Sequence, residues 1–301
     1  MRFLRHWPAA LGALLPLAAV VELAGNAWTA NLVPSDAAFA EARRVVERQF
    51  RDGDLVVVYP DWMGQGRTAL GPWMPLRDQA RADILDYPRV WQLTLDGRTA
   101  PELEGLPVEQ SWSFDGLSLE LLRNPAGAPA LWRAYDDLAS AVVVVAAPDG
   151  EKPCPWQERD QAHHCGDSFG QSWVYVGPFL VTDMQQQPHQ CLWAHPTQVG
   201  PIVATWNDVP AGRTLVVHTA LTYTAARDMK YPPVHLETLV DGRSLGTAEQ
   251  PDGAGWRTWT YEVPAPEGAT TPEVRQVQLR ISTEFQGMRH FCFDAAMRGP
   301  T

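Results

Sequence analysis

The chain of 301 residues carries 13 tryptophans, and Trp156, Trp173, Trp193, Trp206, Trp256 and Trp259 fall in its second half. An exposed indole offers a flat apolar face on which a sugar ring can lie, while neighbouring polar groups read the hydroxyls. Trp256 and Trp259 are an odd number of residues apart, so on one strand they point to opposite faces and one is directed outward. With Trp193 they form the first candidate ligand set. Asp61 and Trp62 form a second, a carboxylate beside an indole in a glycine-bearing loop that continues from Gly64 to Arg67. That pair suits a sugar or polar head group; a solvated acid next to a packed tryptophan is the alternative. Glycoside hydrolysis needs two carboxylates across a cleft, and Asp61 with Asp83 or Asp86 is the combination weighed for it. His195 and His290 are candidate bases, yet no Ser or Cys nucleophile can be paired with them. No catalytic residue is assigned.

All four cysteines, Cys154, Cys165, Cys191 and Cys292, lie in the second half. An even set in one block is the pattern of a disulfide-stabilised domain in an oxidising compartment. Four cysteines permit three pairings. The expected one is Cys154–Cys165 closing a local loop, with Cys191–Cys292 tying an early strand to a late one. His163 and His164 sit inside the short loop, so zinc has to be weighed. Zinc takes four convergent ligands with close paired spacing, which this run matches poorly. No metal and no cofactor is expected: GxGxxG and GxxxxGK[ST] are both missing from the sequence.

Arg2, Arg5 and His6 precede an uncharged, mostly apolar run from Trp7 to Val21. This is a positive n-region followed by a signal-type h-region. Residues 1–28 are read as a signal peptide cleaved after Ala27 or, alternatively, as an anchor over residues 7–28. In both cases the remainder is extracytoplasmic: periplasmic, in the cell envelope or secreted. Formal net charge is −11, and lysine occurs only at Lys152 and Lys230. With no basic cluster outside the leader, nucleic acid is excluded as a partner, because its binding rests on neutralising phosphates. The membrane is met only through the N-terminal segment.

The elements that must position these residues separate into two regions. In residues 32–130, Ser35 or Asp36 caps a helix whose Phe39, Ala42, Val46 and Phe50 share one face. Leu55 to Tyr59 is apolar on both faces, like a buried parallel strand. A second helix from Leu76 to Leu85 and a strand from Arg89 to Leu95 complete a small α/β unit, to which Gly116 to Leu122 adds a strand. Asp61 and Trp62 then sit beyond the carboxyl end of the first strand, where ligands of such sheets bind. In residues 138–301 strand signals recur: Val142 to Ala146, Trp173 to Val181, Ile202 to Trp206, Thr214 to Tyr223, Val234 to Val240, Trp256 to Val263, Val277 to Ser282 and Phe291 to Ala295. Val209 to Gly212 reads as one turn and Asp241-Gly242 as a tight hairpin. The fold expected is α+β in two domains: a small α/β unit followed by an antiparallel, jelly-roll-like β-sandwich with disulfides.

The passage from Pro34 through Phe39, then Gly53-Asp54-Leu55-Val56-Val57-Val58-Tyr59-Pro60-Asp61-Trp62 and on to Arg89-Val90-Trp91, resembles extracytoplasmic soluble segments of dolichyl-phosphate-mannose–protein mannosyltransferase-like membrane glycosyltransferases. The resemblance covers about residues 34–95. Members of that group have many membrane helices and a catalytic acid between the first two, which this chain does not have. The resemblance therefore implies a detached or accessory soluble module. The second half is similar in strand rhythm to galactose-binding-like jelly rolls. Together these readings lead to a non-catalytic accessory protein that binds glycan or assists envelope glycan or glycolipid assembly. An envelope glycoside hydrolase or glycosyltransferase, and a structural partner of an integral membrane transferase, are the alternatives.

Overall fold

The computed structural model describes residues 16, 18–25, 33–74, 82–95, 97–166, 171–265 and 274–299. Most of the expected leader, and residues 76–81 of the expected second helix, lie outside the described residues. No described helix is long and apolar enough to cross a membrane. The chain divides into two compact units, each described by itself. One holds the described residues up to 74 with Tyr87–Asn124; the other holds 82–86 with everything described from Pro125 onward.

The first unit is a helix on a mixed sheet. The Ser35 hydroxyl accepts from the Ala38 N–H and starts the helix Asp36–Gln49, which buries Phe39, Ala42 and Val46. Its sheet contains β1 (Asp54–Tyr59), β2 (Arg89–Leu95), β3 (Val108–Phe114) and β4 (Leu117–Arg123), in the order β1-β2-β4-β3. β1 and β2 run parallel and the other pairs antiparallel. Val56, Val58, Trp91, Leu93, Leu119 and Leu121 meet the helix in one core. β3 is a largely exposed edge strand, so its sequence lacks the apolar alternation that marks the others.

The second unit is a sandwich. Its strands are β5 (Ala130–Arg133), β6 (Val142–Ala147), β7 (Gly150–Pro153), β8 (Trp156–Gln157), β9 (Ala162–His164), β10 (Tyr175–Thr182), β11 (Pro188–Ala194), β12 (Ile202–Pro210), β13 (Thr214–Leu221), β14 (Val234–Val240), β15 (Arg243–Gln250), β16 (Arg257–Glu262), β17 (Val274–Thr283) and β18 (Phe291–Arg298). Eight form one sheet, ordered β16-β13-β18-β11-β10-β9-β8 with β5 also on β18; six form the other, ordered β15-β14-β17-β12-β6-β7. Alternation puts Leu215, Val217, Phe291, Phe293 and Leu192 of the larger sheet against Ile202, Leu236, Leu279 and Ile281 of the smaller in a single core. Asp241 and Gly242, at φ +50° and +76°, make the two-residue turn between β14 and β15. Pro210 falls inside β12 rather than in the expected turn, beyond the stretch where β12 pairs with β6. Ala130 to Arg133, at the limit of the expected first region, pairs with β18 and belongs to the sandwich. Of the expected second helix, Ile84–Asp86 is a single 3-10 turn.

Both disulfides are present, Cys154–Cys165 and Cys191–Cys292, spanning 11 and 101 positions. His163 is buried in the short loop with its ring nitrogens 3.1 Å from the Cys154 and Leu138 carbonyl oxygens. Those contacts pin the loop to the sandwich.

Candidate functional site

Period-two alternation that buries Leu192, Ala194, Phe291, Phe293 and Leu221 in the core sends the intervening residues to the outer face of the larger sheet. There β11 presents His189, Cys191 and Trp193, continued by His195. β18 presents Cys292, Asp294, Ala296 and Arg298, preceded by His290, and β10 adds Tyr175, Gly177, Phe179 and Val181. The Cys191–Cys292 bridge crosses the middle of this face and packs with Val181, Ala220, Phe179 and Trp256. The face has a different character on either side of it.

On one side is an aromatic cluster centred on Trp193. Its ring stacks with Tyr175 at 5.8 Å and lies 5.0 Å from Phe179, 6.1 Å from His195 and 5.5 Å from His290. Trp173, 38% exposed, stands edge-on to His195 at 4.4 Å, and His164 stacks on Tyr175 at 5.9 Å. Gly177 lies opposite Trp193 across the strands, where a Cβ would meet Ala162 and Tyr175. Burial pulls the His195 pKa down to about 4, and burial with the nearby Arg289 charge lowers that of His290, so both rings are neutral at pH 7. Trp193 Nε1 is a buried donor with no partner among the described residues.

On the other side the same face is closed by charges. Asp83 Oδ2 lies 2.9 Å from Arg298 Nη2, 3.2 Å from His218 Nε2 and 3.6 Å from Arg133 Nη2. Arg133 also pairs with Asp86 and, at 3.1 Å, with Asp294; Arg298 reaches Asp86 at 3.0 Å and the Leu85 and Ala128 carbonyls at 2.6 Å. Burial opposes the Asp83 charge, but the His218 hydrogen bond and the Arg298 charge outweigh it and hold the carboxyl well below the ordinary range. Asp294 goes the other way, because burial outweighs Arg133. Burial likewise works against the Arg133 cation, and its three carboxylates more than offset that.

The expected site residues separate accordingly. Trp193 is the centre of the aromatic half, although only 9% exposed. Trp256 lies over the disulfide, with the rings of His189 and His218 stacked on it at 4.3 and 5.2 Å. Trp259 packs against the inter-sheet core and donates from Nε1 to Thr219 Oγ1 at 3.2 Å, which leaves Trp256 as the outward ring of the pair. Asp61 and Trp62 follow β1 in the first unit, and Gly64 to Arg67, expected as a loop, instead opens the short helix Gly64–Leu70, which buries Gly66 and Leu70. Asp61 Oδ1 is 3.9 Å from Arg67 Nη2, and Trp62 is 74% exposed. Asp83 and Asp86, weighed as acids to accompany Asp61, are held by arginines. Trp206 is a core residue donating to the Asp137 carbonyl, and Trp156 donates to Glu158. The sequence reading assigned no binding role to Tyr175, His195 or His290. The alternation of His189, Cys191, Trp193 and His195 against Gln190, Leu192 and Ala194 is the signal that places one of them, His195, on one face with Trp193.

No family model matches the chain, and no curated protein matches it. Among solved structures it is similar to CBM51 from Clostridium perfringens GH95 in complex with methyl-galactose, at 7% identity over 40% of this chain and 81% of that one, with a TM-score of 0.29. It is also similar to CBM51-2 in complex with GlcNAc and INT domains from Clostridium perfringens ZmpB, at 8% identity over 67% of this chain and 45% of that one, with a TM-score of 0.33. A third likeness is to a cyclase from Fischerella sp. TAU, at 12% identity over 54% and 86%, with a TM-score of 0.30.

Proposed function

We propose that this protein is a non-catalytic, exported carbohydrate-binding protein whose ligand platform is the aromatic half of the larger sheet's outer face. The observation that carries the reading is the Trp193 cluster. There the Trp193 indole, whose buried Nε1 has no partner among the described residues, sits among Tyr175, Phe179, His195 and His290, with Trp173 exposed at the rim. Aromatic faces beside a few uncharged polar atoms are what pyranose rings require. The two disulfides fit an extracytoplasmic setting. In this reading the first unit, with the exposed Trp62 and the resemblance over residues 34–95, serves envelope glycan or glycolipid assembly beside an integral membrane glycosyltransferase.

The test is a glycan array and an envelope-polysaccharide screen with the purified, oxidised full chain, followed by Trp173→Ala. Trp173 is the most exposed ring of the cluster, so its loss is expected to weaken glycan binding about tenfold, roughly 1.4 kcal/mol. Stability is expected to change by less than about 1 kcal/mol. Unchanged affinity in the folded variant removes Trp173 from the platform, and binding to no glycan at all overturns the reading.

A further inference from the structure

Among the described residues the rings around Trp193 carry no cation, and that selects among glycans. We infer that the Trp193 cluster takes neutral, hydroxyl-bearing sugars and rejects acidic ones such as uronates and sulfated glycans; this rests on the carbohydrate reading above.

The argument comes from the hydrogen-bonding sense of the polar atoms. His195 Nδ1 lies 3.1 Å from the Pro196 carbonyl oxygen. A carbonyl only accepts, so Nδ1 carries the hydrogen, and in the neutral ring Nε2 is left as a bare acceptor. Its ring is 6.1 Å from that of Trp193, whose Nε1 is a donor without a partner. A hydroxyl both donates and accepts, so a neutral sugar can donate to the His195 acceptor. A carboxylate or sulfate only accepts, and it would set its charge against the His195 lone pair.

No cation is available among the described residues of the cluster to offset that charge. The nearest in sequence, Arg289, has a fully buried side chain held by Asp252 at 2.6 Å and by the Pro232 carbonyl at 3.0 Å. At the rim His164 pairs with Asp160 at 3.2 Å, which adds an acid rather than a base. Desolvation of His195 and His290 keeps both from becoming cations at pH 7. The formal charge of −11 adds a long-range repulsion toward polyanions that salt screens.

The experiment uses the full-length, oxidised protein and matched probes: dextran against dextran sulfate, and a neutral galactan against polygalacturonate. Titrations are run in about 0.05 and about 0.5 M sodium chloride, bracketing strong and weak screening. The neutral member of at least one pair is expected to bind about tenfold tighter than its acidic partner, with an affinity that changes less than about twofold with salt, since no ion pair forms. Equal or tighter binding of the acidic member, weakening as salt rises, overturns this inference and leaves the carbohydrate reading standing. Failure of every probe, neutral and acidic, and of the wider array removes both.

Discussion

The two halves of one sheet face solve the same problem in opposite ways. Both are laid on β11 and β18, and both have the same core beneath them. Beyond the disulfide toward Asp294 and Arg298, the face is sealed by three carboxylates, two guanidiniums and His218, with Asp83 and Asp86 brought in from residues 82–86. Toward His290 and His195, it is finished with uncharged rings and an unanswered indole donor. The ionic half carries its own counter-charges, while Asp86 Oδ1 and Arg298 Nε, like Trp193 Nε1, are buried without a hydrogen-bond partner among the described residues. The aromatic half presents uncharged rings with Trp173 exposed at its rim, where the other half is closed by ion pairs, and that difference locates the proposed site.

The largest effect is expected where the halves are stitched together. Replacing Cys191 and Cys292 together by alanine frees a loop of 101 positions and is expected to cost about 4 to 5 kcal/mol on the chain-entropy estimate. Urea denaturation of the oxidised protein measures it, and a loss below about 1 kcal/mol would show that the sheet holds its face without the bridge. Arg298→Met comes next. It removes one of the two guanidiniums that Asp83 and Asp86 share and leaves both carboxylates to Arg133, so about 3 kcal/mol of stability is expected to go, with glycan affinity in the folded fraction unchanged. Loss of binding in a folded Arg298→Met protein would merge the halves into one functional unit.

The smallest expected effect, on the order of 1 kcal/mol, is a pH dependence of opposite sign at two carboxyls. The folded-state pKa of Asp83 lies below its unfolded value, so its contribution is present above about pH 4 and fades as pH falls. That of Asp294 is raised, so its contribution is present in acid and is lost as pH rises through the folded value. Between pH 3 and pH 7 the destabilisation caused by Asp83→Asn is therefore expected to grow while that of Asp294→Asn shrinks. Parallel urea series at several pH values read both, and slopes of the same sign would refute the assigned environments.

What the sequence disclosed follows from how local each cause is. Strand β14 was legible from Val234, Leu236, Thr238 and Val240, because a half-buried strand repeats every two residues and Asp241-Gly242 ends it. The neighbouring β15, Arg-Ser-Leu-Gly-Thr-Ala-Glu-Gln, lies at a sheet edge with little to bury, and its pattern is correspondingly mute. The outward direction of one ring among Trp256 and Trp259 was legible from parity alone. The ionic half was not: Asp83 meets His218 and Arg298 across 135 and 215 positions, and nothing local marks residues 82–86 as part of the sandwich. Trp193 was chosen for its type, whereas its neighbours Tyr175, His195 and His290 come together only through the pairing of β10, β11 and β18.

β18 is the last described strand in sequence, yet it is hydrogen-bonded to β13 on one side and β11 on the other, well inside the larger sheet. A chain delivered from its N-terminus therefore holds β11 and β13 as unzipped edges until residues 291–298 arrive. Over the same interval Cys191 has yet to meet Cys292, the partner its disulfide requires. Such late, long-range closure slows folding and leaves edges open to aggregation. It also makes completion of the aromatic half abrupt: His290 and the Cys292 bridge reach the Trp193 cluster with the same segment, so no partly delivered chain holds the finished cluster.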